Sequence, residues 1–140
     1  MVVAACGNNK MMITSESWTF YNYMDADGDN AIIAWLHELP IKAQAKIDGR
    51  LLVMLGMRLW PDGWISSLEG YDDIYEIRIT CANIQYRPLG CYGPAQREFT
   101  LLVGAIEKGG RIPRGTLQSA LTRRQIILGD RTRVRKHQFN

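Results

Sequence analysis

The spacing of hydrophobic positions changes along this chain, and the change separates a helical part from a sheet-forming part. Residues 18–23 are aromatic and β-branched, which predicts a first strand. Between 31 and 59 apolar side chains recur at the spacing of amphipathic helices. Pro40 interrupts this run and can also open a helix, because the first helical turn leaves its amides unbonded. The pattern predicts two helices, 31–39 and 41–59, packed as an αα-hairpin.

An acidic run precedes the first of these helices. Asp25-Ala26-Asp27-Gly28-Asp29 resembles the start of a calcium-binding loop, but its glycine is at the fourth position, not the sixth, and no Glu is at the twelfth. We therefore interpret the run as a turn, with Asp29 or Asn30 as the helix N-cap.

From Ile74 onward the hydrophobic period is two, which indicates strands. Three strands are predicted, at 74–81, 84–92 and 98–106, and their short connections favour an antiparallel meander. Pro88 cannot donate to a strand ladder, so it predicts a bulge or an unpaired position. Residues 60–70 hold one Pro and two Gly and are predicted to be an irregular connection.

The two ends of the chain differ from its centre. A last helix is predicted from Pro113 to Gly129, and the basic stretch 130–140 is predicted to be a disordered tail. Residues 1–17 are predicted to be a flexible segment, which leaves one domain at 18–129. Val3-Ala4-Ala5-Cys6 within that segment resembles a lipoprotein cleavage box, but no basic start or long apolar stretch precedes it. Translation that starts at Met11 or Met12 explains the segment equally well.

Composition narrows the class of protein. With 46% hydrophobic and 22% charged residues, the 140-residue chain is typical of one globular domain, and no apolar run reaches the ~18 residues of a membrane span. Three cysteines without a CxxC pair favour a reducing, cytoplasmic compartment and argue against zinc. His37 and His137 are far apart in sequence, so neither a metal nor a cofactor is expected.

Charge is distributed unevenly between the two halves. Residues 1–73 carry five Lys and Arg against ten Asp and Glu, a net of −5. Residues 74–140 carry twelve against four, a net of +8. A basic half suggests a polyanionic partner, although many basic surfaces have none.

Several short segments then follow one another in an order that a known toxin family shares. They are Leu68-Glu69-Gly70, Ile74-Tyr75-Glu76-Ile77-Arg78, Gln85-Tyr86-Arg87, the stretch from Leu101 to Lys108, and Arg111-Ile112-Pro113, with Ala120, Arg123 and Arg124 in the helix beyond. Over roughly residues 18–128 the chain resembles the phage-derived, HigB-like branch of the RelE/ParE toxin superfamily. The resemblance implies an α+β fold of order β-α-α-β-β-β-α, with an antiparallel sheet packed by an αα-hairpin and a C-terminal helix.

The same resemblance implies a function. Such a chain is the toxin of a type II toxin–antitoxin system and cleaves messenger RNA, with the ribosome as one setting for the reaction. The ribose 2′-hydroxyl attacks the adjacent phosphate, which requires charge stabilisation and proton transfer but no metal. The partners implied are messenger RNA and a cognate helix-turn-helix antitoxin, and a homodimer stays open.

The resemblance also assigns roles to particular residues. Arg78 and Arg87 match the strand arginines that hold the phosphate, a role suited to the guanidinium fork. Lys108 binds phosphate or acts as an acid, and Glu76 orients Arg78 or acts as a base. Residues expected to bind RNA are Arg111, Arg114 and Tyr86.

Three positions depart from the family pattern. Val103 replaces a histidine, Ala105 a phenylalanine and Glu107 the first lysine of a pair, so the general acid and base stay open. Two other functions also stay open: a ParE-like toxin that binds gyrase without hydrolysis, and an interaction protein that has lost the chemistry. The two strand arginines are then ordinary surface residues.

The hairpin makes one geometric prediction. A turn centred on Ala82-Asn83 sets Arg78 opposite Arg87 on the polar side of the hairpin, with Cβ atoms about 4.5–5.5 Å apart. Like charges at that distance need neutralising, by Glu76 for one arginine and by Glu98, solvent or a bound anion for the other. A bulge at Pro88 would turn Arg87 away.

Overall fold

A mostly antiparallel sheet with helices on both faces makes up the structure, a computed structural model that describes residues 17–139. Its strands are β1 (Thr19–Tyr23), β2 (Ile65–Leu68), β3 (Tyr71–Ile77), β4 (Ile79–Cys81), β5 (Ile84–Tyr86), β6 (Leu89–Tyr92), β7 (Glu98–Val103) and β8 (Val134–Lys136). Its helices are α1 (Ala31–His37), α2 (Ile41–Leu55) and α3 (Arg114–Gly129), with a 3-10 turn at Arg131–Arg133. The α+β class predicted from the sequence is therefore confirmed. The predictions for residues 1–16 lie outside the described residues.

Six of these strands form one sheet in the order β2-β3-β6-β7-β1-β8, and β4 pairs with β5 in a separate hairpin. β1 runs parallel to β7, with Thr19 opposite Glu98, whereas the other paired strands are antiparallel. A parallel pair needs a long crossover between its strands, and α1, α2 and the meander together supply it. The antiparallel sheet that the resemblance implies is therefore wrong at this one pair.

The two faces of the sheet are covered by different helices, because its central strands are apolar on both sides. On β7, Phe99 and Leu101 pack with the side chains of α1 and α2, while Leu102 packs with those of α3. Ile74 on β3 belongs to the α3 side. Glu76 lies two residues further along the same strand and therefore points to the same face.

The predicted helices form, with shorter ends. Asn30 is the N-cap of α1, and its Oδ1 accepts the N–H groups of Ile32 at 3.1 Å and Ile33 at 3.0 Å. The second helix ends at Leu55, not at residue 59. Trp60, which follows that end, donates its side-chain N–H to the carbonyl of Met54 in the last helical turn at 2.9 Å. No helix between residues 17 and 139 is long and apolar enough to cross a membrane.

Residues 60–70 are more regular than predicted. Their second half is β2, an antiparallel neighbour of β3 in which Ile65 faces Ile77 and Ser66 faces Glu76. The four residues of β2 include two serines, so their own propensity is weak. β2 forms because it pairs with β3, and the periodicity of the sequence does not predict this strand.

The meander is divided where the two arginines lie. The predicted strand 74–81 is split into β3 and β4 at Arg78, and the strand 84–92 is split into β5 and β6 at Arg87 and Pro88. The predicted register of the β4–β5 hairpin is confirmed by the pairs Ile79–Tyr86 and Cys81–Ile84. The two turn residues Ala82 and Asn83 have φ of 52° and 66°, as in a tight hairpin turn.

The predicted disordered tail is wrong, because 130–139 is folded onto the sheet. β8 pairs with β1 at the sheet edge, and the His137 amide donates to the carbonyl of Phe20 at 2.9 Å. The Arg133 side chain donates to the Met24 carbonyl and to the Tyr23 hydroxyl at 2.9 and 2.8 Å. Edge strands tolerate charged side chains that point to solvent, so a basic composition does not exclude a strand.

Candidate active site

Four of the segments that carry the family resemblance meet at one cleft of about 560 Å³ on the α3 side of the sheet. Its charged lining residues are Glu69, Glu76, Arg78, Glu107 and Arg111. Its apolar lining residues are Leu68, Tyr71, Ile112 and Leu117. A volume of this size is within the range of small-molecule and nucleotide sites.

Glu76 forms the inner wall of the cleft. Its position on β3, facing Ser66 on β2, leaves it 5% exposed. Its Oε2 accepts from the Arg78 Nε at 2.9 Å and from the Ser66 hydroxyl at 3.2 Å. A buried carboxylate needs such partners, so Glu76 and Arg78 form a fixed pair.

Arg78 occupies the break between β3 and β4, where its backbone is held from both directions. Its amide donates to the Trp64 carbonyl at 2.8 Å, and its carbonyl accepts from the Arg50 side chain at 2.7 Å. That arginine also lies 4.1 Å over the Trp64 ring. The Arg78 side chain is 47% exposed, and its two Nη groups have no partner within the described residues. They are therefore available to an anion in the cleft.

Arg87 lies behind the cleft and does not line it. Its side chain is only 7% exposed, and its Nη groups donate to the Tyr86 carbonyl and the Gln85 side chain, each at 3.0 Å. Its Nε is 3.4 Å from the Glu107 Oε2 and 3.9 Å from the Glu76 Oε1, and it makes no hydrogen bond in the part of the chain described. Arg87 is a buried positive charge behind two carboxylates.

The predicted pair of facing arginines is realised only in part. Beyond the Ile79–Tyr86 pair the ladder ends, because the Arg78 amide bonds to Trp64 and the Arg87 amide donates to the Ala105 carbonyl at 2.8 Å. Glu76 contacts Arg78 at 2.9 Å and lies 3.9 Å from Arg87, although the prediction assigned it to one arginine only. One guanidinium is exposed and the other buried, however, so they do not form an open clamp.

The second neutralising group is Glu107, which was not among the three alternatives considered, namely Glu98, solvent and a bound anion. The Glu98 side chain accepts from the Ala95 amide at 3.0 Å and orders the loop before β7. The departure of Glu107 from the family pattern was visible in the sequence, but its contact with Arg87 was not. That contact depends on how the segment after β7 lies beside β5.

The other predicted site residues separate into two groups. Arg111 lines the cleft, and its backbone pairs with that of Lys108 across the Gly109-Gly110 turn. Lys108 and Arg114 are exposed and do not line it. Tyr86 is 2% exposed in the core, so the prediction that it contacts RNA is wrong. Its ring packs in the core cluster that also contains Ile47 and Leu51 of α2.

Outside the cleft, sequence reasoning missed two buried groups. His137 is 2% exposed, with Nδ1 3.1 Å from the Asn22 Oδ1 and Nε2 2.9 Å from the Asp48 Oδ1. Burial raises the pKa of Cys91 to about 11, which keeps that thiol protonated. Over residues 17–139 no group of three His, Cys, Asp or Glu side chains is arranged to hold a metal ion.

A scan against protein-family models finds no match for this sequence, and a search of curated proteins finds no significant match. Function must therefore be inferred from the cleft and from the residues that carry the resemblance.

Proposed function

We propose that the chain is a RelE-like toxin of the HigB-like branch, an endoribonuclease that cleaves messenger RNA by attack of the ribose 2′-hydroxyl. One observation carries the proposal: segments far apart in sequence, each part of the resemblance, supply the charged side chains of a single cleft. The α+β class and the mostly antiparallel sheet are compatible with the fold that the resemblance implies, with β2 and β8 as additional strands.

The cleft residues suit phosphodiester chemistry. Arg78 has free Nη groups, and Arg111 has no ion pair within the described range, so both can bind the phosphate. Guanidinium groups bind phosphate oxygens in a planar, two-bond geometry and stabilise the charge that develops during attack. Glu76 orients Arg78 through the 2.9 Å contact with its Nε. Arg87 keeps the two inner carboxylates in place from behind.

The proposed partners are messenger RNA and an antitoxin whose acidic segment covers the cleft. Such a segment would occupy Arg78 and Arg111 and so exclude the substrate. Charge complementarity of this kind sets specificity and association rate.

The proposal is tested by expressing the chain from an inducible promoter while following growth and transcript integrity together. Arg78→Ala should reduce cleavage about 10²–10³-fold, the usual loss when one preorganised donor is removed. Arg135→Ala is the matched control, because Arg135 is an exposed arginine on β8, outside the cleft. Melting curves of both variants exclude a folding effect.

Intact transcripts in cells that express the wild-type chain would contradict the proposal. If growth nevertheless stopped, a toxin that binds gyrase would explain the result. Equal cleavage by the Arg78 and Arg135 variants would place the chemistry elsewhere.

A further inference from the structure

Glu107 is held rigidly at the edge of the cleft. Its amide donates to the Gln85 carbonyl at 2.9 Å, and the preceding residue, Ile106, bridges to Tyr86. The following residue, Lys108, is paired with Arg111. The backbone is therefore fixed on both sides of Glu107, as precise positioning of a reacting group requires.

The cleft offers few groups that can accept a proton. Among the described residues its lining contains no histidine and no lysine, so its carboxylates are the candidate proton acceptors. Glu76 has both a short contact to Arg78 and one to Ser66, and its side chain is 7% exposed. Glu69 is exposed in the turn before β3, and within the described residues its side chain makes no hydrogen bond or ion pair that would orient it.

Glu107 combines orientation with access. Its Oε2 lies 3.4 Å from the buried Arg87 Nε, its side chain is 22% exposed, and its Oε1 has no partner in the described part of the chain. A general base needs one oxygen held and another open to the substrate, which Glu107 alone of the three provides.

We propose that Glu107 is the general base of the cleavage reaction and that Arg87 is its positioning residue; this rests on the function proposed above. Glu107 takes the proton of the ribose 2′-hydroxyl, and the 2′-oxygen forms a bond to the adjacent phosphorus. The bond from phosphorus to the 5′-oxygen breaks, and that oxygen takes the electron pair and a proton from a water molecule. The hydroxide so formed takes the proton from Glu107, and the products are a 2′,3′-cyclic phosphate and a 5′-hydroxyl.

The test uses the purified full chain carrying Glu107→Gln, which keeps the size of the side chain and removes its basicity. Cleavage of a mixed-sequence RNA is measured in single turnover, with and without ribosomes. Binding is measured with the same sequence made of 2′-deoxynucleotides, which cannot be cleaved. We expect cleavage to fall about 10²–10⁴-fold, with binding changed less than about threefold.

Arg87 is tested by rescue. Arg87→Lys should retain part of the cleavage rate that Arg87→Ala loses, with melting curves showing that the lysine variant is folded. Lysine keeps the positive charge beside Glu107 but not the guanidinium bonds to Gln85 and Tyr86.

Three outcomes would overturn the assignment of Glu107. They are wild-type rates for Glu107→Gln, faster cleavage by that variant, and equal losses of binding and cleavage. Arg78→Ala distinguishes this failure from the failure of the proposed function. If Glu107→Gln cleaves normally while Arg78→Ala does not, only the base is wrong; if the wild-type chain leaves RNA intact under all conditions, both proposals fail.

Discussion

At the scale of single residues, Arg87 explains why a carboxylate stands at position 107. Arg87 is 6% exposed, and a charge so buried is costly unless opposite charges accompany it. Glu76 and Glu107 lie on its two sides. A lysine at 107, the residue type that the resemblance would place there, would instead add a positive charge beside Arg87. The glutamate at position 107 and the burial of Arg87 therefore belong together.

A second residue-scale feature is the contact between Gly104 and Trp35. A Cβ added at Gly104 would overlap the Trp35 ring, so Gly104→Ala should cost about 1–3 kcal/mol, the usual range for overpacking. Gly49 on α2 is the matched control, since its Cβ would meet nothing within 4 Å. Gly49→Ala should stabilise by about 0.5–1 kcal/mol, because glycine within a helix is unfavourable. Urea denaturation of both variants measures these changes in stability. Equal unfolding midpoints for the two variants would show that Trp35 moves aside freely.

At the scale of elements, the divided meander produces the site. Pro88 has no amide to donate, and its carbonyl accepts the Ile77 amide at 2.9 Å instead of continuing the β5 ladder. The chain leaves one sheet and enters the other at this point. Arg78 and Arg87 lie at the two corners, where their side chains turn toward Glu76. A continuous hairpin would have left both arginines on an open polar face.

The C-terminal strand makes a second element-scale prediction. His137→Ala should lower the free energy of unfolding by about 1.5–3 kcal/mol, the range for a hydrogen bond to a charged group, because the 2.9 Å contact between the His137 Nε2 and the buried Asp48 Oδ1 is lost. His37→Ala is the control, since His37 is exposed on α1. Chemical denaturation of both proteins is the measurement. Equal stability of the two variants would show that 130–139 contributes as little as the disordered tail that the sequence predicted.

At the scale of the whole molecule, the acidic and basic halves of the sequence do not form separate bodies. β1 comes from the acidic half and lies between β7 and β8 of the basic half. Pairs such as Arg124–Asp73, at 3.2 Å, join the two halves. Charge asymmetry in the sequence thus does not carry over to separate surfaces, and the cleft combines Arg78 and Arg111 with three carboxylates.

The proposed antitoxin makes the prediction at this scale. Co-expression with the neighbouring open reading frame should yield a complex and restore growth. The double variant Arg78→Glu with Arg111→Glu should weaken that complex, because an acidic segment would meet like charge. Arg135→Glu is the control: it reverses one positive charge on β8, outside the cleft, and should leave binding of the antitoxin unchanged. A complex insensitive to the cleft variants would place the antitoxin on another surface, and no complex at all would remove the partner.

The features that the sequence determined by itself are local ones. The helices, the Asn30 cap and the Ala82-Asn83 turn with its register depend on residues within a few positions of one another. Hydrogen bonds and side-chain periodicity act over that distance, so a single sequence contains the information. The residues of the candidate site could likewise be named in part, since Glu76, Arg78 and Arg111 line the cleft.

Only the tertiary structure decided the features whose partners are distant. β2 and β8 have weak local signals and form because β3 and β1 offer open edges for pairing. Arg87 is buried, and Glu107 faces it, because the segment after β7 lies against β5. The energy of such contacts comes from burial and pairing between segments far apart in the chain, and it overrides local preference wherever that preference is small.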